Sequence, residues 1–512
     1  MRTSIKLKRL FIIITILTVF LTGCSGWGKA TPPAHADTSA ATGGPATGKV
    51  PLIIYVPGER PKQQDEVLKA IDDKTRNELN IELQLNYVAW GDYINKTKLM
   101  SAGGEAFDIY LSFFTELSGN ISRKQCIPLN GLLDKYGADL KKQIPQAQWD
   151  SLTIDGEIYG IPAVYAMTEM GRGFLVRKDL REKYKLPEIT DIATYETFLD
   201  TIAKNEKGII PMLGETLSIM YADKSMAGHS IYTLGCDSFQ YMYVDIDKKP
   251  FKVENYLKTG LFRKLWQEDI KAYGNGWMEK DILTDNDRDG KFVSGQAASM
   301  AGDLYNITER QNLLQKNVPG AEIELAVINK NGRWINMYPA NNFGMISSTS
   351  RNPERAVMFM NWLRKSQENY DSYMLGIEGE TYNLVGGKAE VPSGTNPTDR
   401  FNPTPWLTMH MPYTRTWTTD SKAYSDALEF WNSLQPENSD LISFSYSSEN
   451  VKAEKAAVEK VCMEEGRPLQ TGLLSSEQDY DKLLEDLDKA GLPKIIEDTQ
   501  RQIDIYMAKR GK

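Results

Sequence analysis

Acidic side chains recur at a spacing that could hold a calcium ion in the stretch 285–290 (DNDRDG). Asp285, Asp287 and Asp289 supply carboxylates at alternate positions and Gly290 follows, as at the start of a calcium-binding loop. The last ligand position of such a loop holds Gln296, where a bidentate glutamate is needed. Because Asp and Gly are also common in ordinary turns, the stretch favours a surface turn over a metal site.

Residues for metal binding or nucleophilic catalysis are sparse in the rest of the chain. The histidines are His35, His229 and His410, and no CxxC pair or Cys/His cluster occurs. The GxSxG, HExxH, GxxxxGK[ST] and GxGxxG motifs are absent. We therefore predict no metal, no cofactor and no enzymatic activity. A secreted glycosidase stays open as an alternative, since two catalytic carboxylates could lie anywhere among the 68 acidic residues.

Three cysteines follow the N-terminal segment, namely Cys126, Cys236 and Cys462. Their odd number and wide spacing argue against a disulfide framework. One pair could form a bridge in an oxidising exterior. Three buried thiols are favoured, because free cysteine behaves as a small apolar residue.

The N-terminus has the pattern of an export signal. Basic residues up to Arg9 precede the apolar run 10–21 (LFIIITILTVFL), which is too short to cross a bilayer as a helix. The run ends in Leu21-Thr22-Gly23-Cys24, which resembles the bacterial lipobox. The resemblance implies cleavage before Cys24 and a palmitate-containing lipid anchor on its thiol, so that the protein sits on the extracytoplasmic face of the cell membrane. The alternative is a buried N-terminal helix that happens to end in cysteine.

The segment after the N-terminal signal has the composition of a linker. Residues 25–50 are rich in Ser, Thr, Ala, Gly and Pro and predict a flexible linker.

The net charge of the chain is -8, and basic residues occur only in short pairs such as Lys141-Lys142. A nucleic-acid partner is therefore excluded, because phosphate backbones need a clustered basic face.

Strands and helices alternate at the start of the folded part. The runs 52–56 (LIIYV) and 107–111 (FDIYL) are apolar, and residues 81–87 alternate apolar with polar, so all three predict strands. Apolar residues at helical spacing separate them, which predicts a largely parallel sheet whose ligands meet the carboxyl ends of its strands. A hairpin is predicted around residues 155–162, and the last 65 residues are predicted to be helical.

Several landmarks resemble those of extracellular solute-binding proteins of bacterial ABC importers, the group that contains maltose-binding protein. They are, in order, 159–162 (YGIP), 177–180 (RKDL), the pattern Phe292/Gly295/Ala297-Ala298/Met300/Gly302, and the helix start 352–356 (NPERA). The stretch 370–382 (YDSYMLGIEGETY) resembles a segment of a long-chain, lipobox-bearing subgroup that is often linked to oligosaccharide uptake. The resemblance covers roughly residues 51–430.

This resemblance implies an α/β fold of the two-lobed, type II periplasmic-binding-protein-like class, with a cleft between lobes joined by hinge crossovers. Crossovers are expected at 162–174, 299–305 and 343–347. The expected division is a signal peptide (1–23), a linker (24–50), a first lobe (51–165 and 299–343), a second lobe (166–298 and 344–435) and a helical C-terminal extension (436–512).

Candidate ligand-binding residues are those beside these landmarks. A sugar needs aromatic platforms for its ring faces and carboxylate or amide groups for its hydroxyls. The candidates are Trp90, Asp108, Tyr165, Glu169, Asp303, Trp334, Tyr338 and Asn341. For Trp90 the alternative is packing at a helix start, and for Asp108 it is a core acid whose hydrogen bonds are satisfied.

The resemblance thus implies a monomeric substrate-binding lipoprotein that binds a sugar or oligosaccharide reversibly and delivers it to the permease subunits of an ABC importer. Sugar is favoured over peptide, polyamine or metal because aromatic and amide side chains gather at the expected cleft. Two alternatives remain at this point, a secreted glycosidase and a surface receptor or adhesin without transport.

Overall fold

The computed structural model describes residues 49–165, 172–214, 231–236, 239–285, 287–328, 330–336, 340–395, 401–442 and 444–511. Cys24, Glu169 and Tyr338, three of the residues singled out from the sequence, therefore lie outside the described residues. The strands are β1 (Val50–Pro57), β2 (Ile81–Val88), β3 (Ile109–Phe113), β4 (Thr153–Ile154), β5 (Glu157–Ile158), β6 (Ile161–Pro162), β7 (Arg172–Arg177), β8 (Ile231–Cys236), β9 (Phe239–Asp245), β10 (Val253–Asn255), β11 (Ser299–Asp303), β12 (Ile323–Ala326), β13 (Ile335–Asn336), β14 (Asn342–Ile346), β15 (Asn383–Val385), β16 (Lys388–Glu390) and β17 (Glu437–Asn438).

The α-helices span Gln64–Thr75, Trp90–Ala102, Leu117–Ser122, Asn130–Tyr136, Ala138–Gln143, Gln146–Ser151, Lys178–Lys183, Ile192–Asn205, Gly260–Gly274, Arg288–Val293, Ile307–Asn317, Pro353–Lys365, Gln367–Met374, Lys422–Ser433, Lys452–Val461, Arg467–Gln470, Glu477–Ala490 and Leu492–Lys509. They pack against three separate sheets, which divide the chain into the regions described next.

The first lobe is built on a five-stranded sheet with the order β2-β1-β3-β14-β6. β1 runs parallel to β2, with Leu52 opposite Leu83, and parallel to β3, with Ile54 opposite Ile109. Leu52 and Ile54 are fully buried, because the apolar run of β1 is covered by helices. The predicted N-terminal strands and their parallel pairing are confirmed.

The second lobe is built on a three-stranded antiparallel sheet, in which β7 lies between β11 and β12. Ser299 is opposite Val176, and Ile323 is opposite Arg177. The sheet shares apolar cores with the helices Ile192–Asn205, Ile307–Asn317 and Lys422–Ser433. The helix Ile192–Asn205 packs in one apolar core with Phe174 and Val176 of β7, and the other two helices pack in a second core with Leu175.

The C-terminal helices pack on a third sheet, in the order β10-β9-β8, and on the helix Gly260–Gly274. Trp266 and Tyr480 stack there with ring centroids 5.1 Å apart at an interplanar angle of 19°. Ser476 caps the helix Glu477–Ala490, and Gly491 ends it in a left-handed conformation with φ of 103°. The prediction that the C-terminal region is helical is confirmed.

The predicted assignment of the two later segments to lobes is wrong. Segment 299–343 was expected in the first lobe, yet β11 and β12 pair with β7 of the second. Segment 344–435 was expected in the second lobe, yet β14 pairs with β3, and the helix Pro353–Lys365 packs in the core of the first. An apolar run shows that a strand is buried but not which sheet it joins, because strand pairing is non-local.

The contacts place the later connections elsewhere along the chain. β13 pairs with β17, whereas Ala340 packs beside Phe343 in the first lobe, so the chain returns to that lobe between Asn336 and Ala340. The chain leaves the first lobe again between Trp417 and Ser421. Trp417 forms a β-bridge with Ala389, whereas the Ser421 N–H donates a hydrogen bond to the Thr308 hydroxyl.

Candidate functional site

Five aromatic side chains meet where the two lobes come together, and we call them the aromatic cluster: Trp90, Phe113, Tyr165, Tyr305 and Trp406. Trp90 begins the helix that follows β2, and Phe113 is the last residue of β3. Both lie at the carboxyl ends of parallel strands, the sheet edge at which ligands bind in open α/β folds.

Trp406 lies at the centre of the cluster. Its ring centroid is 6.1 Å from that of Trp90 at an interplanar angle of 84°, and 5.9 Å from that of Tyr165 at 31°. Phe113 contacts the ring of Trp90 at 6.4 Å. Aromatic pairs attract each other at centroid distances of about 4.5 to 7 Å, so these four rings of the first lobe support one another.

The fifth ring comes from the second lobe. Tyr305 lies in the short turn Leu304–Asn306 after β11, with its ring centroid 5.8 Å from Tyr165 and 6.1 Å from Trp406. The Asp303 carboxylate accepts a hydrogen bond from the Tyr305 backbone N–H at 2.9 Å and thereby fixes the turn. Asp303 therefore positions Tyr305 at the junction of the lobes.

The hydroxyl of Tyr165 is held on both sides. It donates to the Trp406 carbonyl oxygen at 3.1 Å and accepts from the Asn342 amide nitrogen at 3.0 Å. Burial raises the pKa of Tyr165 well above its ordinary value, with the Asn342 hydrogen bond opposing this. The hydroxyl is therefore neutral, and the ring is fixed beside the first crossover.

Trp90 provides the accessible surface of the cluster. Its side chain is 51% exposed, whereas the other four members are partly buried. An indole ring supported from two sides and open on the rest is a platform on which the apolar face of a ring-shaped ligand can stack.

Asp108 lies away from this cluster. It precedes β3, at the amino end of the strand, whereas Phe113 ends it, so the two are separated by about 17 Å along the strand. Its carboxylate accepts from the Ile53 N–H at 2.8 Å and the Ser350 hydroxyl at 2.6 Å. With 2% exposure, Asp108 has the features of the second alternative, a core acid with satisfied hydrogen bonds.

Trp334 is a core residue of the second lobe. It is 6% exposed, with its ring 5.2 Å from Trp431 and 6.3 Å from Phe430. Asn341 is partly buried, and its carbonyl oxygen accepts from the Phe114 N–H at 2.9 Å. Of the described candidates, Trp90 and Tyr165 belong to the aromatic cluster, and Asp303 supports it.

Sequence reasoning missed Phe113 and Trp406. Phe113 follows the predicted third strand closely and could have been found by extending the rule about strand carboxyl ends from Trp90 to β3. Trp406 lies in a Pro-rich connection, 401–407 (FNPTPWL), with no periodic pattern that would place it beside Trp90. Its role depends on its contact with Trp90, which lies more than 300 residues earlier in the sequence.

A cavity of about 700 Å³ lies within the second lobe, between β12 and the helices Ile307–Asn317 and Lys422–Ser433. No member of the aromatic cluster lines it. Its charged side chains pair with one another, for example Lys178 with Glu322 at 2.9 Å and Lys422 with Asp426 at 2.6 Å. We place the candidate site at the aromatic cluster, because the cluster joins both lobes.

The calcium-like stretch is organised by a lysine. Lys291 Nζ lies 2.9 Å from the Glu279 carboxylate and 3.1 Å from that of Asp285, and both carboxylate side chains are less than 5% exposed. The described residues hold no group of three or more potential metal ligands. Cys126 and Cys462 are buried, as expected from the sequence for two of the three thiols. The Lys291 ammonium group thus pairs with Asp285, the first acid of the motif, and Asp289 pairs with Arg310 instead.

No helix within the described ranges is long and apolar enough to cross a membrane. In sequence, the chain is 23% identical over 484 residues to a protein of Streptococcus pneumoniae serotype 4 (strain ATCC BAA-334 / TIGR4), described as a carbohydrate ABC transporter substrate-binding protein. That match covers 90% of this chain and 92% of the relative.

Solved structures share the fold. The N-glycan transport solute binding protein (NgtS) of Streptococcus pneumoniae is similar with a TM-score of 0.73 and 19% identity, over 90% of this chain and all of that one (100%). A solute-binding protein of Bifidobacterium longum infantis ATCC 15697, described as binding HMO and associated with an ABC transporter, has a TM-score of 0.62 and 16% identity, over 89% of this chain and 99% of that one. These likenesses confirm the two-lobed α/β fold.

Two family profiles match the chain. Residues 440–508, which form most of the C-terminal helical region, match a domain of unknown function (DUF3502). Residues 69–379 match the profile of bacterial extracellular solute-binding proteins. They include the second-lobe sheet, four of the five strands of the first-lobe sheet, and Trp90, Phe113, Tyr165 and Tyr305 of the aromatic cluster. This protein therefore belongs to the family of bacterial extracellular solute-binding proteins.

Proposed function

We propose that this protein binds a sugar or oligosaccharide between its lobes and delivers it to the permease of an ABC importer. The observation that carries the proposal is the aromatic cluster, to which the first lobe contributes Trp90 and Trp406 and the second lobe contributes Tyr305. The S. pneumoniae relative described as a carbohydrate ABC transporter substrate-binding protein supports the same function.

Reversible binding follows from the placement of the rings. A sugar ring stacked on the exposed face of Trp90 contacts the first lobe, and a neighbouring sugar unit can reach Tyr305 on the second. Only the closed arrangement of the lobes provides both contacts, so the ligand shifts the population towards that arrangement. Release on the permease needs no covalent step.

The experiment that tests this function is a ligand screen. The purified chain is heated with a panel of neutral oligosaccharides, uronate oligomers, peptides and polyamines, and the melting temperature Tm is recorded. A ligand at 100 times its Kd adds about 2.7 kcal/mol to the free energy of unfolding, which gives a clear shift. A shift with peptides or polyamines and none with any saccharide would contradict the proposal.

We further propose that binding is not accompanied by hydrolysis. Asp303, a carboxylate two residues before Tyr305 of the aromatic cluster, is engaged in capping the turn that carries Tyr305. Incubation of equimolar protein and oligosaccharide should return the oligosaccharide intact by mass spectrometry. Turnover that is lost when two acids of the cleft are neutralised would favour the alternative of a secreted glycosidase.

The N-terminal signal supports a membrane-tethered location for the mature chain. We propose that the Cys24 thiol is lipidated, that residues 1–23 are then removed, and that the protein acts as a monomer beside its permease. Two acyl chains suffice for stable anchoring, whereas one is marginal. Replacing Cys24 with Ser should move the protein from the membrane fraction to the soluble fraction, while Cys126→Ser, which alters a buried thiol, should not. Retention of the Cys24→Ser variant in membranes would refute lipidation at this residue.

A further inference from the structure

Arg364 is a fully buried cation in the first lobe, on the helix Pro353–Lys365. Its Nη2 donates to the Met409 carbonyl oxygen at 3.2 Å, but its Nε and Nη1 have no acceptor among the described residues. No carboxylate of the described residues forms an ion pair with it. By contrast, Arg177, which is also buried, lies 2.7 Å from the Asp179 carboxylate. A buried charge without a counter-charge is strongly unfavourable.

His410 is buried beside it, with 0% exposure and no partner for either ring nitrogen among the described residues. Tyr370 joins the two groups: its ring lies 5.9 Å from the Arg364 guanidinium carbon, and its hydroxyl accepts from the His410 backbone N–H at 2.9 Å. Tyr413 covers the histidine at a centroid distance of 4.8 Å. Burial and, secondarily, the Arg364 charge lower the pKa of His410 to about 3, so the imidazole is neutral and keeps one N–H donor.

We propose that Arg364 and His410 bind a small monovalent anion of the chloride type, held by the free guanidinium N–H groups and the imidazole N–H. A water molecule could accept the same hydrogen bonds, but it would leave the positive charge uncompensated. An anion accepts these hydrogen bonds and also compensates the positive charge. Its hydrogen bonds are charge-assisted and therefore stronger than those of a neutral acceptor. The site shares no residue with the aromatic cluster.

The site lies under the connection between the lobes. Val164, the residue before Tyr165, bridges to His410, and its N–H donates to the Met409 carbonyl oxygen at 2.7 Å. The Met411 N–H donates back to the Val164 carbonyl oxygen at 2.9 Å. Met409 thus accepts from both Val164 and Arg364, so an anion on Arg364 stabilises the segment that leads into the first crossover.

The test uses the full mature chain in sodium gluconate, with chloride replacing gluconate at constant ionic strength. We expect a Tm rise that saturates with chloride, and an anomalous bromide peak beside Arg364 in bromide-soaked crystals. Arg364→Met should abolish the chloride response, and such a change can leave stability intact because it removes a buried charge. The control Arg415→Met, which breaks an ion pair with Asp371, should lower Tm and keep the response.

An equal Tm in chloride and gluconate, or a chloride response that persists in Arg364→Met, would overturn the proposal. So would bromide-soaked crystals that show only an ordered water at the site, a measurement that does not depend on any variant folding.

Discussion

Truncation of Trp90 separates binding from stability most clearly. Its ring is 51% exposed and makes two ring contacts within the first lobe, with Phe113 at 6.4 Å and Trp406 at 6.1 Å. Aromatic pairs contribute about 0.5 to 1.5 kcal/mol each, so the loss of two contacts in Trp90→Ala should lower the free energy of unfolding by about 1 to 3 kcal/mol. Loss of the stacking platform should cost at least about 2 kcal/mol of binding, which is roughly a 30-fold rise in Kd.

The matched control is Trp334→Ala. Trp334 is 6% exposed and packs against Trp431 in the second-lobe core, so its truncation should cost about 3 to 5 kcal/mol of stability. The folded fraction should nevertheless bind with unchanged affinity. Isothermal titration with the saccharide found in the screen, together with urea denaturation, measures both quantities. Wild-type affinity of Trp90→Ala, or an equal loss in Trp334→Ala, would refute the assignment of the site to the aromatic cluster.

The remaining predictions concern neighbouring groups. Asp303→Ala should weaken saccharide binding more than Asp303→Asn, since an amide oxygen can still accept from the Tyr305 N–H; equal losses in titration would contradict this. Saccharide affinity should stay constant between roughly pH 6 and 9, because burial raises the pKa of Tyr165 and keeps its hydroxyl neutral. A Kd that changes within this range, as if a single group were titrating, would contradict this prediction. Lys291→Met should lower Tm, because it leaves the buried carboxylates of Glu279 and Asp285 without a counter-charge, and Ca²⁺ should restore part of the loss, whereas the wild-type Tm should not respond to Ca²⁺. A Ca²⁺-dependent Tm in the wild type would contradict the role of Lys291 as the resident cation.

Local patterns in the sequence predicted the elements that depend on local physics. β1, β2 and β3 follow from apolar runs and alternation, and the hairpin of β4 and β5 follows from its Asp-Gly turn. The C-terminal helices follow from apolar spacing and charge. These features depend on residues within a few positions of one another.

The misassigned lobes and the incomplete site have one cause, since both depend on contacts between distant parts of the chain. β14 could have joined either lobe sheet, and only its register with β3 decides this. Trp90 and Trp334 look alike in sequence, yet one is exposed beside Trp406 and the other packs against Trp431. Asp108 resembled a ligand-binding acid until its partners Ile53 and Ser350 were seen.

The packing of the C-terminal helices affects how the chain can fold as it is synthesised. Residues of β9 and β10 and the helix Gly260–Gly274 share their core with Tyr480, Leu483 and Ile495, so the core around the third sheet is incomplete until the last helices have emerged. The first-lobe core needs only residues up to Leu407. Chains grow from the N-terminus and domains fold as units, so the first lobe can form while the apolar face of β9 remains exposed to solvent and to chaperones. A chain that lost its last two helices would keep that face exposed, and quality-control proteases would recognise it as unfinished.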